Sequence, residues 1–318
     1  MRLRLHGYTG IIITKYCNRF TQTATRFNNE KKALYKIFLQ VTNHKKKRFD
    51  GKVVLITGAS SGIGRQTAID FASRGSRTVI LVARSKLQLA ELEKSLRRNF
   101  SPEAALAYPC DIANKSDVKR MGNEILGSFG QVDILVNNAG FGVYDNVQNI
   151  CLEDIELMTS TNYLGMVYCT KAFLTSMLKR RSGHIVNVAS VAASFGVAGL
   201  SAYCATKYAM LGFSESLYHE LHETGVAVTV VSPIAVKATN FFNNESFKQH
   251  LPNYTGFALR PEAVSKAILD AARSHRLEII IPFYVRAGIW FKHTLPYIFN
   301  PLFGMHFRNQ LQKSKNQG

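Results

Sequence analysis

From Lys52 onward the chain alternates short β-branched runs with amphipathic segments, and this alternation restricts the fold more than any other feature of the sequence. The runs at Val53–Thr57, Thr78–Ala83, Ala104–Tyr108, Ile134–Asn137, His184–Val188, Ala227–Val231 and Glu278–Ile281 are predominantly apolar, as strands buried on both faces must be. Between them Gly62–Ser73, Lys86–Asn99, Lys115–Phe129, Leu152–Lys179, Ala202–Glu223 and Pro261–Ser274 read as helices, with Gly75, Gly130 and Gly225 standing where helices stop. Parallel neighbours need a crossover, and crossovers in one sheet are right-handed. The pattern therefore predicts an α/β fold: a doubly wound, mostly seven-stranded parallel sheet with helices on both faces, flanked by N- and C-terminal extensions. Residues 51–281 would form the catalytic domain, 1–50 a basic extension and 282–318 an aromatic and basic one.

The formal charge of +19 looks like that of a nucleic-acid binder until it is divided along the chain. Residues 1–50 carry 12 Lys/Arg against 2 Asp/Glu, residues 51–278 carry 23 against 19, and residues 279–318 carry 5 against none. The folded part is nearly balanced, so the charge speaks for the tails and not for a specific nucleic-acid site. Lys45–Arg48 lacks the stacking aromatics of a nucleic-acid module and reads as a solvated linker. Arg2, Arg4, Arg19 and Arg26 fit a mitochondrial address in residues 1–30, whereas the scarcity of serine there opposes it and leaves a misassigned start or a disordered basic arm; these readings stay open. Gly10–Thr14 is too short for a secretory core or a span. Five cysteines without CxxC spacing imply reduced thiols and a reducing compartment, the cytoplasm or the cytosolic face of a membrane.

Chemistry concentrates at two places. Val53–Thr57 runs directly into Gly58-Ala59-Ser60-Ser61-Gly62-Ile63-Gly64 and a helix, so that glycines allow close backbone approach while the helix N-terminus offers N–H groups to a pyrophosphate. Farther on, Tyr203 and Lys207 are four residues apart, which on a helix places them on one face about 6 Å apart along the axis. A free phenol ionises near pH 10. An ammonium group beside it favours the phenolate, bringing it toward the working range of an acid–base catalyst. Ser190, at a strand end 13 residues earlier, is placed to hold a substrate oxygen toward that phenol.

Over residues 51–281 these motifs resemble the short-chain dehydrogenase/reductase family. The resemblance implies that Asp111 in Cys110-Asp111-Ile112 holds the adenine amino group, that Asn137-Asn138-Ala139-Gly140 closes the fourth strand beneath the cofactor, and that Asn162, Ser190, Tyr203 and Lys207 form a catalytic tetrad. It further implies that Asn162 supports a water-mediated proton path behind Lys207, and that the protein is a homodimer or homotetramer built through Leu152–Lys179 and Ala202–Glu223. In one respect the chain departs from the family pattern. Pro-Gly after the sixth strand is replaced by Pro233-Ile234, and Thr239 lies one residue late for its contact with the nicotinamide amide. Ile cannot take the positive φ open to Gly, so the loop must run differently.

After the second strand stand Ala83-Arg84-Ser85, with no carboxylate for a ribose 2′-hydroxyl. Arg84 can fork onto a 2′-phosphate and Ser85 can add a bond, which favours NADP(H) over NAD(H). The expected reaction is hydride transfer between NADP(H) and a small-molecule carbonyl/alcohol pair. A dinucleotide-binding regulatory protein without catalysis and an epimerase are the rivals; the intact tetrad opposes the first and the short C-terminal part opposes the second. Residues 234–260, with Phe241, Phe242, Phe247, Leu251, Tyr254 and Phe257, would form an apolar lid and imply a lipophilic substrate. Residues 282–305 carry Trp290, Phe291, Tyr297 and Phe303 among Arg286, Lys292, Pro296 and Pro301, too interrupted for a span. They would either lie in a membrane interface or pack over the pocket or a partner subunit. His219-Glu220-Leu221-His222-Glu223 lacks the second histidine of a zinc helix, so no metal is expected.

Overall fold

A computed structural model describes residues 49–239, 241, 245–250 and 257–315, all within one compact unit, Phe49–Gly318. Outside the described residues lie the expectations for the basic arm, including Arg2, Arg4, Arg19, Arg26 and Lys45–Arg48, and those for Phe242, Leu251 and Tyr254 of the lid.

Seven parallel strands form one sheet: β1 (Val53–Thr57), β2 (Thr78–Ala83), β3 (Ala105–Pro109), β4 (Ile134–Asn137), β5 (Gly183–Val188), β6 (Val226–Pro233) and β7 (Glu278–Ile281), in the order 3-2-1-4-5-6-7. The register runs Val54 against Val79 on one side and Ile134 on the other, then Ile134 against His184. Period-two alternation divides the core. Val54 and Ile56 join Phe71, Leu89 and Ile268 on one face, while Val53 and Leu55 join Met121, Phe173 and Leu217 on the other. The first face is covered by α1 (Gly62–Ser73), α2 (Lys86–Asn99) and α8 (Pro261–Ala271). The second is covered by α3 (Lys115–Phe129), α5 (Gly165–Arg180) and α6 (Ser201–Glu220).

Strand order reverses between β1 and β4, and a doubly wound sheet opens a ligand crevice beyond the carboxyl ends of the strands at such a point. Those ends are Thr57 and Asn137. The Thr57 hydroxyl accepts hydrogen bonds from the backbone N–H groups of Asn138 (3.0 Å) and Ala139 (3.1 Å), and the Asn138 amide donates to the Thr57 carbonyl at 2.9 Å. The two lips of the crevice are thus tied together by side chains.

Besides shifts of one to three residues at the ends of β3, β5, α6 and α8, two expected elements are corrected. The single helix expected over Leu152–Lys179 is α4 (Leu152–Met158), a π-helical turn over Thr159–Leu164, and α5. Thr159 and Ser160 donate their hydroxyls to the carbonyls of Ile155 (2.8 Å) and Glu156 (2.7 Å), the back-bonding that bends helices. β6 continues past Val231 to Pro233, because Ser232 and Pro233 still pair with Ile280 and Ile281. Residues after Pro282, for which no element was expected, form α9 (Val285–Thr294) and α10 (Pro296–Lys315); the short helix Glu245–His250, α7, lies within the lid segment. Pro296 opens α10 where its missing N–H costs nothing, and Pro301 lies inside it.

Candidate active site

A cavity of about 960 Å³ runs along the carboxyl edge of the sheet. At one end it is lined by Gly58, Ser60, Ser61, Gly62 and Ile63, and along its length by Arg84, Ser85, Asp111, Ile112, Asn138, Ala139 and Gly140. Ser190, Tyr203, Lys207, Pro233 and Thr239 line the other part. The size and shape of this space suit an extended ligand with a charged, phosphate-like end at the glycine turn. Two expected residues, Gly64 and Asn162, stand behind the wall instead of on it.

The glycine turn is held by steric need. Gly58 has φ +67°, and a Cβ there would lie 2.9 Å from the Ala139 backbone. A Cβ on Gly64 would lie 2.2 Å from the Gly58 carbonyl oxygen, so α1 packs against the turn only because that position is bare. A backbone brought this close to a helix N-terminus leaves room for a dinucleotide pyrophosphate, and the residues present fit that group. Asp111 turns one carboxylate oxygen back on its own loop, accepting from the Ala113 N–H at 3.0 Å.

Catalytic candidates come from three elements. Ser190 lies two residues past β5 and caps a short 3₁₀ turn, Val191–Ala193; its Oγ accepts from the Ala192 N–H at 3.1 Å and donates to the Pro233 carbonyl at 3.4 Å. Tyr203 and Lys207 sit in the first turns of α6, both buried, with the Lys207 Nζ 5.6 Å from the centre of the Tyr203 ring. Phe241 packs edge-on against that ring at 5.1 Å and leads to Phe247 and Tyr144. Asn162, fully buried on the π-helical turn, accepts from the Phe141 N–H (3.0 Å) and donates to the Phe141 carbonyl (2.9 Å) and the Thr206 hydroxyl (3.1 Å). A Cβ on Gly140 would lie 3.0 Å from its Oδ1 and 3.5 Å from the Lys207 Nζ, so both groups converge on that glycine.

The electrostatics differ from expectation at one point. Burial raises the Tyr203 phenol above its ordinary range, against a smaller lowering from its hydrogen bond with Ser190. Lys207 does not reach the phenol: its ammonium donates to the Val188 carbonyl at 3.1 Å and to the Met210 sulfur at 3.4 Å. Burial without a carboxylate partner pulls Lys207 down to about 8. Burial thus raises the phenol where a lowering by the lysine was expected, the ammonium being held at ring distance.

Sequence reasoning missed Thr57, which braces the crevice, and Thr206, whose hydroxyl links Asn162 to the Tyr203 carbonyl (2.7 Å). A hydroxyl residue closing an otherwise apolar strand was the available signal for Thr57. The loop after β6 runs differently, as the replacement of glycine by Ile234 requires: the positive φ falls on Ala238 (+58°), just before Thr239. Thr239 lines the cavity against Gly62 and donates to the Val236 carbonyl at 3.0 Å. Of the described cysteines, Cys110, Cys169 and Cys204 are buried, Cys151 is exposed, and all are free thiols.

A sheet that reverses at β1 and β4, with a bare turn at one end of the crevice and a phenol beside a serine at the other, defines a nicotinamide-dependent oxidoreductase. The chain belongs to the short-chain dehydrogenase family, whose model, described as short chain dehydrogenase, matches residues 52–250. It is accordingly an NAD(P)-dependent enzyme acting on alcohol and carbonyl groups. Mouse epidermal retinol dehydrogenase 2 is 32% identical over 264 residues, covering 82% of this chain and 83% of that protein. Human 17-beta-hydroxysteroid dehydrogenase 13 is 33% identical over 267 residues, covering 83% and 85%. Among solved structures, a short-chain dehydrogenase from Sphingobium yanoikuyae in complex with NADPH superposes with a TM-score of 0.68 at 30% identity, covering 80% of this chain and 95% of that one. One from Burkholderia phymatum in complex with NAD gives a TM-score of 0.70 at 27% identity, covering 77% and 94%.

Proposed function

We propose that this protein uses NADP(H) to interconvert a lipophilic ketone or aldehyde and its alcohol, with Tyr203 moving the proton. The observation that carries the reading is the meeting of Ser190, Tyr203 and Lys207 in a cavity that continues to the glycine turn. When bound, the dinucleotide supplies or accepts the hydride. The protein supplies the rest. Ser190 orients the substrate oxygen and Tyr203 donates its proton in reduction, or takes it in oxidation. Lys207 keeps a positive charge behind the phenol, and Asn162 positions the Phe141 loop and the start of α6 against it. The raised phenol stays protonated at neutral pH, which suits the reductive direction.

Substrate class follows from the lining. Around Tyr203 stand Phe141, Tyr144, Phe241, Phe247 and Phe257, an aromatic wall that favours apolar bodies. The names of the retinol and hydroxysteroid relatives point the same way. In a homologous series of ketones, kcat/KM should rise about fourfold per added methylene until the cavity is filled, following about 0.8 kcal/mol per CH₂. A series in which short polar carbonyls are the better substrates rejects the lipophilic reading.

Arg84 carries the cofactor preference. It lines the cavity beside Ser85, where a 2′-phosphate on the adenosine ribose would be met by a cation. Arg84→Ser should lower kcat/KM for NADPH about 10- to 100-fold, the worth of a charge-assisted hydrogen bond, and leave the NADH value nearly unchanged. Equal losses with both dinucleotides would remove Arg84 from the assignment. Residues 51–281 are the catalytic domain in this reading, and the chain assembles as a homodimer or homotetramer.

A further inference from the structure

α9, α10 and the two residues before α9 expose four large aromatic side chains, Phe283, Tyr284, Trp290 and Tyr297. α9 buries no residue at all, and Phe283, Tyr284 and Trp290 are 79%, 55% and 67% exposed. On α10, Tyr297, Ile298, Leu302 and Met305 are all at least half exposed. At roughly 100° per residue these four fall within an arc of about 140°, whereas Phe299 and Phe303 fall on the other side. Those two do pack inward, stacking on Phe195 at 5.7 and 5.3 Å. α10 therefore has an inner face already satisfied and an outer apolar face without a described partner.

The composition of this part of the chain chooses the occupant. Residues 279–318 hold five Lys/Arg and no Asp/Glu, a balance that favours an anionic surface and disfavours a second copy of the same basic segment. Trp and Tyr are the side chains that settle at the level of lipid headgroups. No helix among the described residues is long and apolar enough to cross a membrane. From these observations we infer that α9 and α10 seat the protein on an anionic lipid surface, lying in the interface with Trp290, Tyr297 and Leu302 inserted. This divides the four aromatics named from the sequence. Trp290 and Tyr297 face lipid, while Phe291 and Phe303 join the inner stack on Phe299.

The seat is fastened to the site. Lys292 on α9 donates to the Ser194 carbonyl and to the Tyr208 hydroxyl at 2.7 Å, and its ammonium lies over the Phe195 and Tyr208 rings at 5.8 and 5.3 Å. Ser194 and Phe195 follow the turn that Ser190 caps, and Tyr208 follows Lys207. Docking would hold the wall of the substrate cavity beside the bilayer, the source of an apolar substrate.

Trp290 is the only tryptophan in the chain, so tryptophan emission, excited selectively over tyrosine, reports this surface alone. Full-length protein is titrated with vesicles of phosphatidylcholine containing phosphatidylserine. The expected result is a blue shift of the emission and quenching by doxyl-labelled lipid. The double variant Tyr297→Glu/Leu302→Glu should partition at least about tenfold more weakly, given the apolar surface lost from insertion. Both positions are exposed, so its melting temperature and NADPH binding should match the parent. Sedimentation with vesicles without a change in Trp290 emission would assign the binding to the basic N-terminal arm and overturn the proposal. A blue shift that grows with protein concentration in the absence of lipid would overturn it in favour of self-association. Neither readout depends on catalysis, so failure here leaves the reductase assignment to its own test.

Discussion

Tyr203→Phe should abolish carbonyl-dependent oxidation of NADPH by a factor of about 10² to 10⁴, the usual worth of a positioned general acid, while dinucleotide binding stays within a few fold. The change deletes one oxygen from a buried ring. The ring's packing on Phe241 is retained, and Ser190 keeps its bonds to the Ala192 N–H and the Pro233 carbonyl. Stability should therefore move by no more than about 1 kcal/mol, the net worth of one neutral hydrogen bond. Stopped-flow absorbance of NADPH with a saturating ketone, beside a binding titration and a melting curve, separates the three quantities. Direction adds a second test. The phenol is raised by burial, so reduction should be flat through neutral pH, while oxidation, which needs the phenolate, should rise with pH toward the top of the accessible range. Activity that survives in the Phe variant would remove the proton donor from the mechanism.

What could be read from the sequence divides along a physical line. β1 and β2 are found with the bounds their β-branched runs predict, since a strand buried on both faces reads as a nearly continuous apolar run. Tyr203 and Lys207 were legible because four residues along a helix fix a shared face whatever the rest of the fold does. The π-helical turn under Asn162 was not, for the hydroxyls of Thr159 and Ser160 alter the backbone path through bonds that spacing along the chain does not record. α10 was hidden by Pro296 and Pro301, because proline marks both a broken helix and a started one. The direction of the Tyr203 shift was beyond reach for another reason. It depends on Phe241 and on the carbonyl of Val188, groups brought by distant segments to seal the phenol and to draw the ammonium aside. Spacing along one helix carries no record of what buries it.

That buried ammonium should make Lys207→Met both inactive and, at neutral pH, more stable. Activity should fall about 10² to 10⁴-fold, because the phenol loses the only cation described beside it, and the loss should not be rescued by raising substrate or dinucleotide. The stability change follows from linkage. Lys207 has its folded value pulled from 10.5 to about 8 by burial. Between these values the unfolded chain binds more protons than the folded one, so native stability rises with pH across that window. Below about pH 8 the cost of holding the charge is fully present. It amounts to about 3 kcal/mol, at about 1.4 kcal/mol per unit of pKa. Methionine of similar length removes that cost but leaves the Val188 carbonyl without its donor, a penalty of about 1–3 kcal/mol. The variant should thus melt at a slightly higher temperature than the parent at pH 7, with the advantage shrinking and then reversing as pH approaches 10.5. Thermal melts of both proteins at a series of pH values provide the measurement. A variant that is less stable at pH 7, by a margin independent of pH, would show that Lys207 is held as a structural donor and not as a charge kept at a cost for catalysis.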